Sequence, residues 1–166
     1  AKRLKAYKQI GYELACGLQI GKQTVNAIYD WDNYSTYYHK DLLGANNNII
    51  ISSPVISGPK VYELINLLKE KQMSGVQITI VTWAPDSYRF GDAAYWMQLH
   101  EDMRQAGFYI KTVEESCERF AVIDQEVVWY GNINLLAKDK VDDSIMRILS
   151  KEIASELMEI TFGDNG

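Results

Sequence analysis

The chain has 166 residues, is 47% hydrophobic and 23% charged, and carries a net charge of −5. That length suits one domain burying roughly 70% of the surface of its extended chain, with the composition of an ordinary soluble globular protein. No apolar run approaches the ~20 residues that cross a bilayer, no signal-peptide pattern opens the chain, and no global basic field draws it onto nucleic acid or anionic lipid.

Two cysteines, Cys16 and Cys117, stand far apart without a Cys-x-x-Cys or Cys/His pairing. This argues against a structural zinc site and a disulfide framework, so no metal or cofactor is expected, and the setting is a reducing, cytoplasmic one. The chain opens on Ala with no initiator Met and reads as a domain cut from a longer protein. Lys2, Arg3, Lys5 and Lys8 form a local basic patch of the kind a solvated helix face carries.

Residues 4–29 show helical spacing interrupted by Gly11, Gly17 and Gly21, so 1–24 is expected to be a helical segment, a linker from a larger protein, ahead of a domain at 25–166. Asn33 or Ser35 caps a helix that runs to about Ala45. Asn46-Asn47-Asn48 marks a turn, and Ile49-Ile50-Ile51 a buried strand ending at Ser52-Ser53-Pro54. Pro59 suits the first turn of the next helix, whose apolar face recurs at Val61, Leu64, Leu67 and Leu68 until Ser74-Gly75.

Val76–Trp83 alternates as a strand, 85–91 is a polar loop, and Asp92–Ala106 is a helix closed by Gly107. Strands follow at 108–113, 119–123, 127–130 and 143–149, and Ser150 caps a last helix through Ile160. Strands alternating with helices predict an α/β fold: a mixed sheet of six or seven strands with helices on both faces.

The segment from Cys117 to Asn134 carries the chemistry. It reads Cys-Glu-Arg-Phe-Ala-Val-Ile-Asp-Gln-Glu-Val-Val-Trp-Tyr-Gly-Asn-Ile-Asn. Cys117 and Arg119 are two apart on the expected strand, which sends both side chains to one sheet face and Phe120 and Val122 to the other. Asp124 ends that strand, where a carboxylate can orient a cation. The Gly131 turn returns Asn134 toward the same pocket, because Gly tolerates backbone angles that other residues avoid.

These offsets resemble the signature of the phospholipase D superfamily, His-x-Lys-x4-Asp-x6-Gly-(Ser/Gly)-x-Asn. Arg119 stands at the Lys position, Asp124 at the Asp, and Gly131 and Asn134 match. Cys117 occupies the place of the nucleophilic His, and Asn132 that of the small residue. The flanking order of elements extends the resemblance over most of residues 25–162, and is most similar to single-motif domains appended to bacterial DNA helicases and restriction-type nucleases.

The resemblance implies a phosphodiesterase that works without metal through a phosphohistidine, with two motif copies meeting face to face. Catalytic roles then fall to Cys117, Arg119, Asp124 and Asn134. Gly131, Asn132, Asp143 and Ser144 would meet substrate, Asp142 and Asp143 being equally placed for the acidic residue found after the turn. One motif per chain implies a homodimer with an isologous interface near residues 117–134.

Two substitutions change the chemistry. Arg119 keeps the charge and can grip phosphate bidentately, but it cannot donate a proton at neutral pH. Cys117 could attack phosphorus as a thiolate, yet a lone Cys is usually a small hydrophobe, and a thiol does not replace an imidazole as leaving-group acid. The expectation is an impaired site in a DNA-processing, helicase- or nuclease-associated protein. The alternatives are an active metal-independent nuclease working as a homodimer and a purely structural dimerisation module. A lipid phosphodiesterase fits least, since no amphipathic membrane segment is present.

His39-Lys40-Asp41 spells the family's three key letters, but contiguously and in a helix, so His39 reads as a surface residue. His100 sits mid-helix without the second His of a zinc-protease pattern. Trp31, Tyr34, Tyr37, Tyr38, Trp83, Tyr88 and Trp96 could stack on bases, though core packing needs such bulk too. Tyr88 and Arg89 are the expected substrate-side contacts of the 85–91 loop.

Overall fold

The computed structural model describes residues 26–87 and 92–163. The expectations for residues 1–24 and for Tyr88 and Arg89 lie outside them. Seven strands form one mixed sheet: β1 (Ala27–Asp30), β2 (Asn48–Ser52), β3 (Gln77–Trp83), β4 (Tyr109–Val113), β5 (Phe120–Ile123), β6 (Val127–Gly131) and β7 (Ser144–Leu149). Their spatial order is β1-β7-β6-β5-β2-β3-β4. β2, β3 and β4 run parallel, and β5, β6, β7 and β1 continue the sheet antiparallel.

Alternation along the strands sorts the core into two layers. Ile49, Ile51, Ile78, Ile80, Ala121, Ile123 and Trp129 face the larger one. It is closed by Tyr34, Tyr38 and Leu42 of α1 (Tyr34–Leu43), Val61, Leu64 and Leu68 of α2 (Gly58–Met73), and Leu99 and Met103 of α3 (Ala93–Gln105). Ile50, Val81, Phe120, Val122 and Val128 face the smaller layer, closed by Ala154 and Leu157 of α4 (Lys151–Phe162). The α/β architecture with helices on both faces agrees with the sequence reading.

Helix caps follow local chemistry in part. Asp92 accepts from the N–H of Ala94 at 2.9 Å and Ser150 from that of Ile153 at 3.1 Å, each satisfying a donor the helix leaves free. Asn33 precedes α1 but accepts instead from the N–H of Asp30 at 2.9 Å, closing the turn out of β1.

Residues 27–29, expected to end a helical segment, lie in an edge strand. Buried Tyr29 gives the reason: its ring lies 5.3 Å from that of Trp129 and 4.8 Å from that of Tyr37. Packing on a pleated surface overrides weak helical spacing here.

Asp41 is the hinge of the contiguous triplet in α1. Its carboxylate accepts from Trp129 Nε1 at 2.8 Å and from Arg147 Nε at 2.6 Å, tying α1 to β6 and β7. His39 is half-buried rather than a surface residue. Burial pushes its pKa down, with Glu63 opposing and Lys60 reinforcing the shift.

Candidate functional site

The C-terminal end of β2 organises the site. Ser52 Oγ donates to the Glu118 carbonyl at 2.6 Å, which fixes the segment entering β5. Ser53 Oγ accepts from the Leu136 N–H at 3.2 Å and donates to the Val55 carbonyl at 2.7 Å, which fixes the loop leaving β6. Thr82 Oγ1 donates to the Pro54 carbonyl at 3.0 Å, holding the exit of β2 against β3. Two neighbouring serines thus bring residues 117–119 and 134–136 to one end of the sheet. In the sequence they mark only the end of a strand.

Arg119 and Asn134 meet there. Arg119 Nε donates to Asn134 Oδ1 at 3.1 Å, and both side chains are half-buried. Among the described residues no carboxylate pairs with Arg119, and its two Nη atoms and Asn134 Nδ2 have no acceptor. A guanidinium whose fork is open, beside an amide N–H₂, presents convergent donors of the type that hold a phosphate bidentately.

Cys117 departs from the expected geometry. β5 starts at Phe120, so residues 117–119 precede the ladder and the two-residue alternation does not govern them. Sγ lies 3.5 Å from Ser52 Oγ, and the side chain packs against the smaller core layer, the one that holds Phe120 and Val122. Burial pushes the thiol pKa up, while the Ser52 hydroxyl and the Arg119 charge pull it down and Glu118 adds to the rise. The sulfur is therefore a thiol at neutral pH, placed with apolar side chains, although Arg119 acts on it electrostatically.

Asp124 lies at the other end of β5, about 15 Å from Arg119 at the rise of a strand. Its φ of 55° places it in a left-handed turn. Its carboxylate accepts from the backbone N–H groups of Asn46 (3.0 Å), Asn47 (2.7 Å) and Asn48 (3.2 Å). It orients a loop and no cation of the Arg119 centre. The cleft of about 750 Å³ beside it, lined by Asn46, Asn47, Glu126 and Lys151, shares that remote end.

The four expected substrate contacts shape the β6–β7 connection. Gly131 does not need a left-handed backbone angle. A Cβ there would lie 2.5 Å from the Ser144 carbonyl oxygen, so close approach demands glycine. Asn132 Oδ1 accepts from the Ser144 N–H at 2.9 Å, and Asn132 N–H donates to the Ser144 carbonyl at 3.1 Å. Asp143 donates its N–H to the Lys140 carbonyl at 3.2 Å. The described polar contacts of Asn132 and Ser144 are spent on each other, and the result of that pairing is the position of Asn134.

His100 is 1% exposed in α3, and neither ring nitrogen has a hydrogen-bond partner. Burial, reinforced by Arg104, pushes its pKa down. It belongs to the packing of α3, away from the Arg119 centre. Among the described residues no helix is long and apolar enough to cross a membrane.

Comparison with known proteins agrees with this frame. Residues 38–162 match the family model described as cardiolipin synthase, PLD-like domain. No curated protein sequence matches. Among solved structures, the chain is similar to Nuc from Salmonella typhimurium, a phospholipase D family member (13% identity, 81% of this chain and 91% of that one, TM-score 0.62). It is also similar to NucT from Helicobacter pylori (11% identity, 82% and 92%, TM-score 0.59). TrmBL2, an archaeal chromatin protein with a novel mode of DNA binding, shares the fold over 96% of this chain and 60% of that one (14% identity, TM-score 0.60). At such identities the structures speak for the fold alone, and the match over residues 38–162 speaks for descent: the chain belongs to the phospholipase D superfamily as a PLD-like domain.

Proposed function

We propose that this domain grips phosphodiesters of nucleic acid without cleaving them, as part of a DNA-processing, helicase- or nuclease-associated protein in a reducing, cytoplasmic setting. The observation that carries this reading is the open fork of Arg119 beside Asn134, set next to a half-buried thiol in place of a nucleophilic imidazole. The donors suit the oxygens of a phosphate. The sulfur is protonated and packs against the smaller core layer, and a thiol offers neither a ready nucleophile nor a leaving-group acid at neutral pH. Positioning and charge, the larger part of phosphoryl chemistry, are supplied, and the covalent step is not.

A homodimer is part of the proposal. A single motif per chain supports it, as do Tyr130 and Met146. They oppose each other across β6 and β7 and are 36% and 39% exposed on the face that α4 covers. The test is a salt titration of single-stranded DNA binding, followed by fluorescence anisotropy. Wild type should lose affinity steeply as salt rises, and Arg119→Ala should bind about tenfold more weakly with a flatter salt slope. Equal binding by both proteins at every salt concentration contradicts the reading.

A further inference from the structure

A second feature lies on the loop that carries Asn134. Ala137 N–H donates to the Asn134 carbonyl at 3.1 Å, and Ser57 N–H donates to the Leu136 carbonyl at 2.7 Å, which seats this loop against the start of α2. Beyond that seat opens a cleft of about 660 Å³ lined by Trp31, Pro59, Lys60, Glu63, Lys138 and Asp139. Asn134 and Lys138 are four positions apart in the chain, so the two lie within about 14 Å even at full extension.

We propose that this cleft receives an unstacked nucleobase of the strand whose phosphate Arg119 and Asn134 hold. The inference rests on the phosphodiester-binding reading above and names its substrate class, single-stranded nucleic acid. The Trp31 indole and the Pro59 ring supply flat apolar surface on which any base can stack. Lys138 is exposed at the rim and supplies a cation for the adjoining phosphate. Lys60 is already committed: it donates to Asp139 Oδ2 at 3.3 Å and lies 5.9 Å from the centre of the Tyr34 ring.

Asp139 Oδ1 in turn accepts from the Tyr34 hydroxyl at 2.9 Å, so the wall is pre-ordered by α1 and α2 together. Glu63 adds an acceptor suited to the amino and imino N–H groups on base edges. Two lysines and two carboxylates cancel in charge within the cleft, as the net charge of −5 does not favour binding by charge alone. Recognition in the cleft therefore depends on the base as well as the backbone. A duplex, with its bases stacked inside, cannot fill it.

Two fluorescein-labelled probes of ten units test this by anisotropy: single-stranded oligothymidine and an abasic phosphodiester chain of the same length. Wild type should prefer oligothymidine. Trp31→Ala should weaken oligothymidine binding about tenfold and leave the abasic chain unchanged, while Trp31→Phe keeps most of the affinity. Lys138→Glu, at an exposed position that does not threaten folding, should weaken both probes. The proposal is overturned if Trp31→Ala leaves oligothymidine binding unchanged, if it weakens both probes equally, or if Lys138→Glu has no effect. Arg119→Ala separates the two readings. Loss with Trp31→Ala but none with Arg119→Ala keeps the base cleft and removes the phosphate centre. The converse keeps the phosphate centre and removes the cleft.

Discussion

Ser52 Oγ lies 3.5 Å from Cys117 Sγ while donating to the Glu118 carbonyl at 2.6 Å, so the end of β2 holds the residue at the nucleophile position by both its side chain and its backbone neighbour. The sulfur is fixed against the smaller core layer and the Arg119–Asn134 pair is left beside it. Cysteine at this position packs against an apolar layer, and arginine and asparagine bond to each other beside it.

The thiol should react slowly. In a Cys16→Ser background, alkylation of Cys117 should follow a pH profile with its midpoint above the usual thiol range, because burial outweighs the opposing pull of Ser52 and Arg119. Arg119→Ala removes one of the two lowering influences and should move the midpoint further up. A midpoint below the usual range would make the sulfur a poised thiolate and contradict its assignment to the core.

The donor fork explains a second expectation. Arg119→Lys preserves charge but not the planar pair of N–H groups, and it also loses the Nε bond to Asn134. Affinity for single-stranded DNA should fall severalfold, with the salt slope kept. Asn134→Ala should weaken binding comparably and leave the melting temperature within about 2 °C, since its amide is half-buried at a loop.

Asp124 should behave in the opposite way. Its carboxylate serves three backbone N–H groups of the loop before β2, and leaving such donors unserved costs about 1–3 kcal/mol. Asp124→Ala should lower the melting temperature by several degrees and leave DNA affinity unchanged in the folded protein. Thermal denaturation and anisotropy on the same sample check this.

His100 makes stability fall with acid. Its folded pKa lies below the usual imidazole value, so the unfolded chain binds more protons once pH drops under about 6.5. The stabilisation present above that pH is lost progressively as pH falls toward the depressed folded value. His39 is shifted the same way and contributes with the same sign. His100→Leu should flatten most of the loss between pH 6.5 and 5 in chemical denaturation, with His39 responsible for the remainder.

Much of the fold was legible because its signals are local. β-branched runs marked β2 and β3, Ser150 marked a cap, and the spacing of Val61, Leu64 and Leu68 marked α2. β1 was not legible, since Tyr29 becomes a strand residue only through Trp129, a hundred positions away. At the site, the Arg119–Asn134 contact followed from spacing, but the side taken by Cys117 did not. That side is set by Ser52, on a strand paired to β5 through the fold. The distance of Asp124 from the centre was hidden for the same reason: its partners are backbone amides, which no side-chain pattern announces. The signal available for the Trp31 cleft was one aromatic residue among many.

The most direct measurement is a nuclease assay in EDTA on labelled single-stranded DNA, comparing wild type, Cys117→Ala and Cys117→His at equal, binding-saturated concentrations. Bound but uncut DNA is expected for wild type and for Cys117→Ala alike. Cleavage by wild type that disappears in Cys117→Ala would show a working sulfur nucleophile and contradict that expectation.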